Sequence, residues 1–238
     1  MAAGAINAVA GGGTLVTFPT LVWLGVPSIA ANATNTVSLW PGALGSVWGF
    51  RRELQGVDPG LFLLIVPSIV GGLIGAVLLD LTPTEIFDRL VPFLILFATG
   101  LFMAQEPIQR RFNLAGSHQS GSPWRSWTML FQFGVAIYGG YFGAGIGILM
   151  LAALTLMGHT DIHRMNGVKN LLATAINGTA AVYFAFNTPV MWHDALVMAV
   201  GSIVGGIAGA GLARRIGRAN VHRLVIAIGF GSALSLMF

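Results

Sequence analysis

The sequence predicts an all-α polytopic membrane protein made of two homologous halves, with a glycine-broken helix at the head of each. Three observations point there. Long stretches carry no charged side chain: Met1 to Phe50, Pro59 to Leu79, Ser126 to Gly158 and Ala195 to Ala213. The chain repeats itself, since Ser68-Ile-Val-Gly-Gly-Leu-Ile-Gly-Ala76 recurs 134 positions on as Ser202-Ile-Val-Gly-Gly-Ile-Ala-Gly-Ala210. Glycine also gathers where an apolar helix should run, at Gly11-Gly12-Gly13 and at Gly139, Gly140, Gly143, Gly145 and Gly147.

Of the 238 residues, 55% are hydrophobic and 8% charged, against about 25% charged in a soluble domain. The uncharged runs are close to or above the roughly 20 residues that cross a hydrocarbon core. A net charge of +4 does not imply nucleic acid, because basic residues of membrane proteins gather in cytoplasmic loops and none here forms a run of five. Cysteine is absent, which excludes disulfides and thiolate chemistry. No Gly-x-Ser-x-Gly elbow occurs, so an enzyme is not expected. The start, MAAGAINAVAGGG, lacks a basic region, so no cleavable signal peptide is expected. It reaches glycine after ten residues, and the first span is expected to be truncated or a half-span.

Taken in order, the first repeat (1–104) has a glycine-broken segment at about 3–24, then spans near 34–50, 60–79 and 85–104. A polar linker, 105–126, holds Pro107, Arg110, Arg111 and His118. The second repeat (127–238) runs as a broken segment at 127–157 and spans near 166–186, 191–212 and 219–237. The same offset puts Gly11 and Gly13 on Gly145 and Gly147, Asn32 on Asn166, and Asn35-Thr36 on Lys169-Asn170. Were every segment to cross, Arg51-Arg52 and the linker would face away from Arg164, Lys169, Arg214, Arg215 and Arg218. If each broken segment instead returns to its own side, the copies are inverted and these cations share one face, as the positive-inside bias requires. Gly71-x-x-x-Gly75 and its copy are read as helix packing.

The candidate site follows from the breaks. Glycine costs roughly 1 kcal/mol per position against alanine in a helix, and non-helical backbone at membrane depth is tolerated only beside protein or a water-filled cavity. Half-helix N-termini offer unpaired N–H groups to an anion. Gly11, Gly12, Gly13, Gly143, Gly145 and Gly147 are therefore expected to form a backbone cradle, the other reading being a packing bend. Lys169 would supply charge, unless it snorkels to water. Asn32, Asn35, Thr36, Asn166 and Asn170 would orient oxygens, or else bond neighbouring helices; Asn32–Thr36 and Asn166–Asn170 each share one helical face. His159, Asp161 and His163 read as a loop rather than a metal site, and no cofactor is expected. Asn32-Ala-Thr34 and Asn177-Gly-Thr179 are chance glycosylation patterns, lying in or beside spans. All eight carboxylates fall near span ends. Export of an anion from a negative interior is downhill by about 2.3 kcal/mol per charge per 100 mV without one at depth.

The stretches NAVAGGGTLVTFPTLVWLGVPSIAANATNT (7–36) and YGGYFGAGIGILMLAALTLMGHTDIHRMNGVKN (138–170), with the paired SIVGG copies and the basic ARR at 213–215, resemble the sulfite exporter TauE/SafE family. The resemblance covers essentially the whole chain. It implies a secondary transporter of the bacterial inner membrane that moves a small anion, sulfite, sulfoacetate or a related organosulfur compound, by alternating access. An anion channel, or a non-transporting assembly subunit, is the alternative. The expected partners are that anion and the lipid bilayer, with homo-oligomerisation left open.

Overall fold

The computed structural model describes residues 13–55, 57, 59–113, 122–156, 162–216 and 218–237. Among these the regular structure is entirely helical. In chain order the helices are α1 (Gly13–Trp23), α2 (Ser28–Gly49), the single turn α3 (Pro59–Phe62), α4 (Ile65–Leu81) and α5 (Thr84–Asn113). There follow α6 (Ser122–Tyr141), α7 (Ile146–Leu156), α8 (Ile162–Asn187), α9 (Trp192–Ile216) and α10 (Arg218–Met237). Carried forward 134 positions, the starts of α1, α2, α3 and α5 land on, or one residue from, those of α7, α8, α9 and α10.

Local chemistry explains the boundaries. Helix α1 stops where Gly25 takes φ +86°. The amide of Gly25 returns to the Val22 carbonyl (2.9 Å) and that of Val26 to Leu21 (3.1 Å), the paired bonds of a Schellman ending. Pro27 then precedes α2. The expected 60–79 span is interrupted between Phe62 and Ile65, because Pro67 has no N–H to return to the Leu63 carbonyl; Leu63, Leu64 and Val66 make three-residue turns there instead. The expected 105–126 linker is entered by helix from both sides, α5 reaching Asn113 and α6 starting at Ser122. Between α6 and α7 the chain leaves helix for four residues, with Gly143 at φ +79° and Gly145 at φ +80°.

Helix packing pairs the two halves. Helix α2 packs on α8 and α9, α4 on α6 and α8, and α5 on α10. The α2–α8 pair runs antiparallel: Leu54 lies beside Gly167, Trp40 beside Thr174 and Gly178, and Thr34 accepts from the Met191 amide. The indole Nε1 of Trp40 donates to the Thr174 carbonyl at 3.3 Å, and these two positions are themselves equivalents in the repeat. The outward faces are apolar, with Phe186 85%, Leu24 75% and Trp48 69% exposed. Gly60–Leu81 (22 residues) and Thr84–Ala104 (21 residues) are apolar and long enough to cross a bilayer, and α1, Trp192–Val204 and Arg223–Met237 are shorter apolar helices.

The tightest helix contact is backbone on backbone. A Cβ at Gly75 would stand 2.1 Å from the Ile137 carbonyl oxygen, and one at Gly140 would stand 2.1 Å from that of Gly72. Only small residues let α4 and α6 approach so closely. Gly140→Val is expected to cost on the order of 3 kcal/mol or more by overpacking. Loss of the monodisperse detergent-solubilised species, or a Tm far below the parent's, checks it.

Candidate functional site

A polar cavity of about 100 Å³ lies between α2 and α8, closed by α1 and by the connection from α6 to α7. Its walls repeat. Asn35, Thr36, Leu39 and Ala43 on α2 line it, and so do Lys169, Asn170, Ala173 and Asn177 on α8, each 134 positions beyond its counterpart. Spacings of one, four and eight residues keep each set on one helical face. The antiparallel crossing turns the two faces toward each other.

Phe142, Gly143, Ile146 and Gly147 form the third wall. Here the amides of Phe142 and Gly143 both return to the Tyr138 carbonyl (2.9 and 3.2 Å). The Tyr138 hydroxyl donates to the Ala144 carbonyl (2.8 Å) and Asn32 Nδ2 to the Tyr141 carbonyl (2.9 Å). The first turn of α7 thus starts at the cavity, where helix N–H groups have no intrahelical acceptor. A Cβ on Gly147 would stand 3.2 Å from Lys169 Cδ, so the lysine stem runs across a surface that glycine leaves bare. Among the described lining residues Lys169 is cationic and none is a carboxylate.

Of the residues named from sequence, Asn35, Thr36, Gly143, Gly147, Lys169 and Asn170 line the cavity. Gly13, Asn32, Gly145 and Asn166 do not. Gly13 is buried at the start of α1, where its carbonyl accepts from Thr17 Oγ1 at 2.9 Å. Gly145 faces α5, with Leu101 Cδ1 3.5 Å from its would-be Cβ. Asn32 is fully buried and bonds the end of α6. Asn166 is half-buried on α8. Gly11, Gly12, His159 and Asp161 lie outside the described residues, as does the side chain of His163.

Thr14, Ser46 and Asn177 also line the cavity, and sequence reasoning missed them. Asn177 carries a signal in the sequence, a polar residue two turns beyond Lys169 in an apolar helix. Its Oδ1 comes within 3.6 Å of the would-be Gly143 Cβ. Thr17 Oγ1, which reaches the Gly13 carbonyl, also lies against the Asn35 side chain.

An apolar exterior on an entirely helical described structure, with a small polar cavity inside it, is the build of a helical membrane protein. The chain belongs to the sulfite exporter TauE/SafE family, whose description matches residues 1–236, and it is a membrane transporter of that family. A Haemophilus influenzae relative called "Probable membrane transporter protein" is 28% identical, over 98% of this chain and 89% of its own. The Escherichia coli K12 relative "Probable membrane transporter protein YfcA" is 26% identical, over 100% of this chain and 87% of its own. A Sinorhizobium relative, "Probable membrane transporter protein ORF9", is 25% identical, over 99% and 88%. No solved structure matches the chain.

The two glycines at this wall separate two effects. Gly143→Ala forces a side chain into the left-handed region, costing about 1–2 kcal/mol, and is expected to lower Tm. Gly147→Val meets the lysine stem instead; it is expected to keep most of the stability while displacing Lys169. Thermal unfolding of both variants, beside solute transport by each, checks the distinction.

Proposed function

We propose that this chain is a secondary transporter of a small anion, a sulfur oxyanion or organosulfonate of the sulfite and sulfoacetate kind. It would work by alternating access in a bacterial inner membrane. One observation carries the reading: equivalent faces of α2 and α8 enclose a cavity that receives both Lys169 and the first turn of α7. Helix N–H groups and a cation in a low-dielectric setting favour a negative solute. Lys169, Asn170, Asn177, Asn35 and Thr36 would hold it, with Gly143 and Gly147 clearing the approach. The family's name, sulfite exporter, agrees with that charge.

Inverted halves give this site its alternating access. Supporting the inversion, α2 and α8 are repeat equivalents that cross antiparallel at equivalent residues. Supporting the membrane orientation, Glu53 and Leu54 pack beside Gly167, so Arg51 and Arg52 share an end with Arg164. Under the positive-inside bias that end is cytoplasmic. Two breaks meeting near the midplane of inverted repeats is a common transporter plan.

The test is flux of sulfite from proteoliposomes holding the purified protein. Flux should saturate with concentration and respond to membrane potential without needing a pH gradient; linear, unsaturable flux would indicate a channel. Lys169→Met removes a charged hydrogen bond worth about 1.5–3 kcal/mol. It is expected to slow transport at subsaturating sulfite about tenfold or more while the protein still inserts. Unchanged flux would remove Lys169, and with it the site.

A further inference from the structure

The connection between α6 and α7 puts carbonyl oxygens as well as amides beside the cavity. A carbonyl oxygen facing the cavity would repel an anion. At this connection and the end of α6, four carbonyl oxygens are occupied from within the protein: Tyr138 by the Phe142 and Gly143 amides, Gly145 by the Ile148 amide (3.0 Å), Tyr141 by Asn32 Nδ2 and Ala144 by the Tyr138 hydroxyl. Two of the donors are side chains, and neither lines the cavity. Ala144 sits between Gly143 and Gly145, both at positive φ, so its flanking peptides turn easily and the direction of its carbonyl rests on Tyr138. The Tyr138 ring is itself fixed edge-to-face on Phe97, with centroids 5.5 Å apart. Asn32 is held where it is by complete burial.

We infer that Tyr138 and Asn32 are positioning residues that set the charge selectivity of the cavity, by turning the Ala144 and Tyr141 carbonyls away from the solute. This rests on the proposed anion site and adds a property to it. With these carbonyls occupied the wall repels a negative solute less, and the effect rises with the solute's charge. The penalty from a freed carbonyl dipole is linear in the solute's charge. Its fold-effect on a dianion is therefore the square of that on a monoanion. A residue that merely stabilised the fold would weaken both by the same factor.

The experiment measures sulfate and nitrate affinity, as dianion and monoanion probes, by thermal stabilisation of purified Tyr138→Phe, Asn32→Leu, Lys169→Met and parent protein. For Tyr138→Phe, a freed carbonyl that weakens nitrate affinity by about threefold weakens sulfate affinity by about tenfold. Asn32→Leu is expected to act in the same direction. Equal factors for the two anions, or no change, overturn the inference, as does failure of both variants to fold. If Lys169→Met weakens binding while Tyr138→Phe does nothing, only this inference fails. Parent protein stabilised by neither probe, or Lys169→Met without effect, sinks the anion site beneath it.

Discussion

The crossing of α2 and α8 is the contact on which the cavity depends. Trp40 lays its indole against α8, and Gly178 makes room for it, since a Cβ there would come within 2.6 Å of the indole nitrogen. Because Trp40 and Thr174 are equivalent positions, residues on either side of the contact arrive as equivalent pairs: Asn35 with Lys169, Thr36 with Asn170, Leu39 with Ala173, Ala43 with Asn177. One residue of slip along either helix would rotate its polar face by about 100° and turn it away from the cavity. The glycine contacts of α4 against α6, and of Gly72 against Ile176 of α8, hold that register from outside.

The pairs are equivalent in place and unlike in chemistry. The second half contributes the ammonium of Lys169 and the amides of Asn170 and Asn177. Opposite them the first half offers one amide, one hydroxyl and the apolar Leu39 and Ala43. Asn35 is further restrained by Thr17, whose counterpart, Leu151, belongs to the apolar core.

Polar groups away from the cavity are mostly bound to one another. Asp80, near the end of α4, accepts from the Tyr183 hydroxyl (3.1 Å) and from Thr188 (3.0 Å), while Asp88 accepts from Ser28. These bonds tie α4 to α8 and α2 to α5 through hydroxyl groups. Buried polar groups are expensive unless paired, and such pairing lets a scaffold this apolar hold carboxylates near its helix ends.

Much of this could be read directly from the chain. Helical class follows from charge-free runs, because a backbone in lipid must satisfy its own hydrogen bonds. The repeat shows as a fixed offset, and Lys169, Asn170, Asn35 and Thr36 show as polar residues in apolar surroundings. What one dimension cannot carry is direction around a helix relative to a partner. Asn32 and Asn35 look alike in the sequence, yet Asn32 secures the Tyr141 carbonyl while Asn35 faces the cavity. Thr14 and Ser46 look like ordinary helix residues until the α2–α8 crossing puts them at its walls. Composition and periodicity are properties of the chain and settle the elements; which faces meet is decided by close packing between helices, and that exists only once the chain has folded.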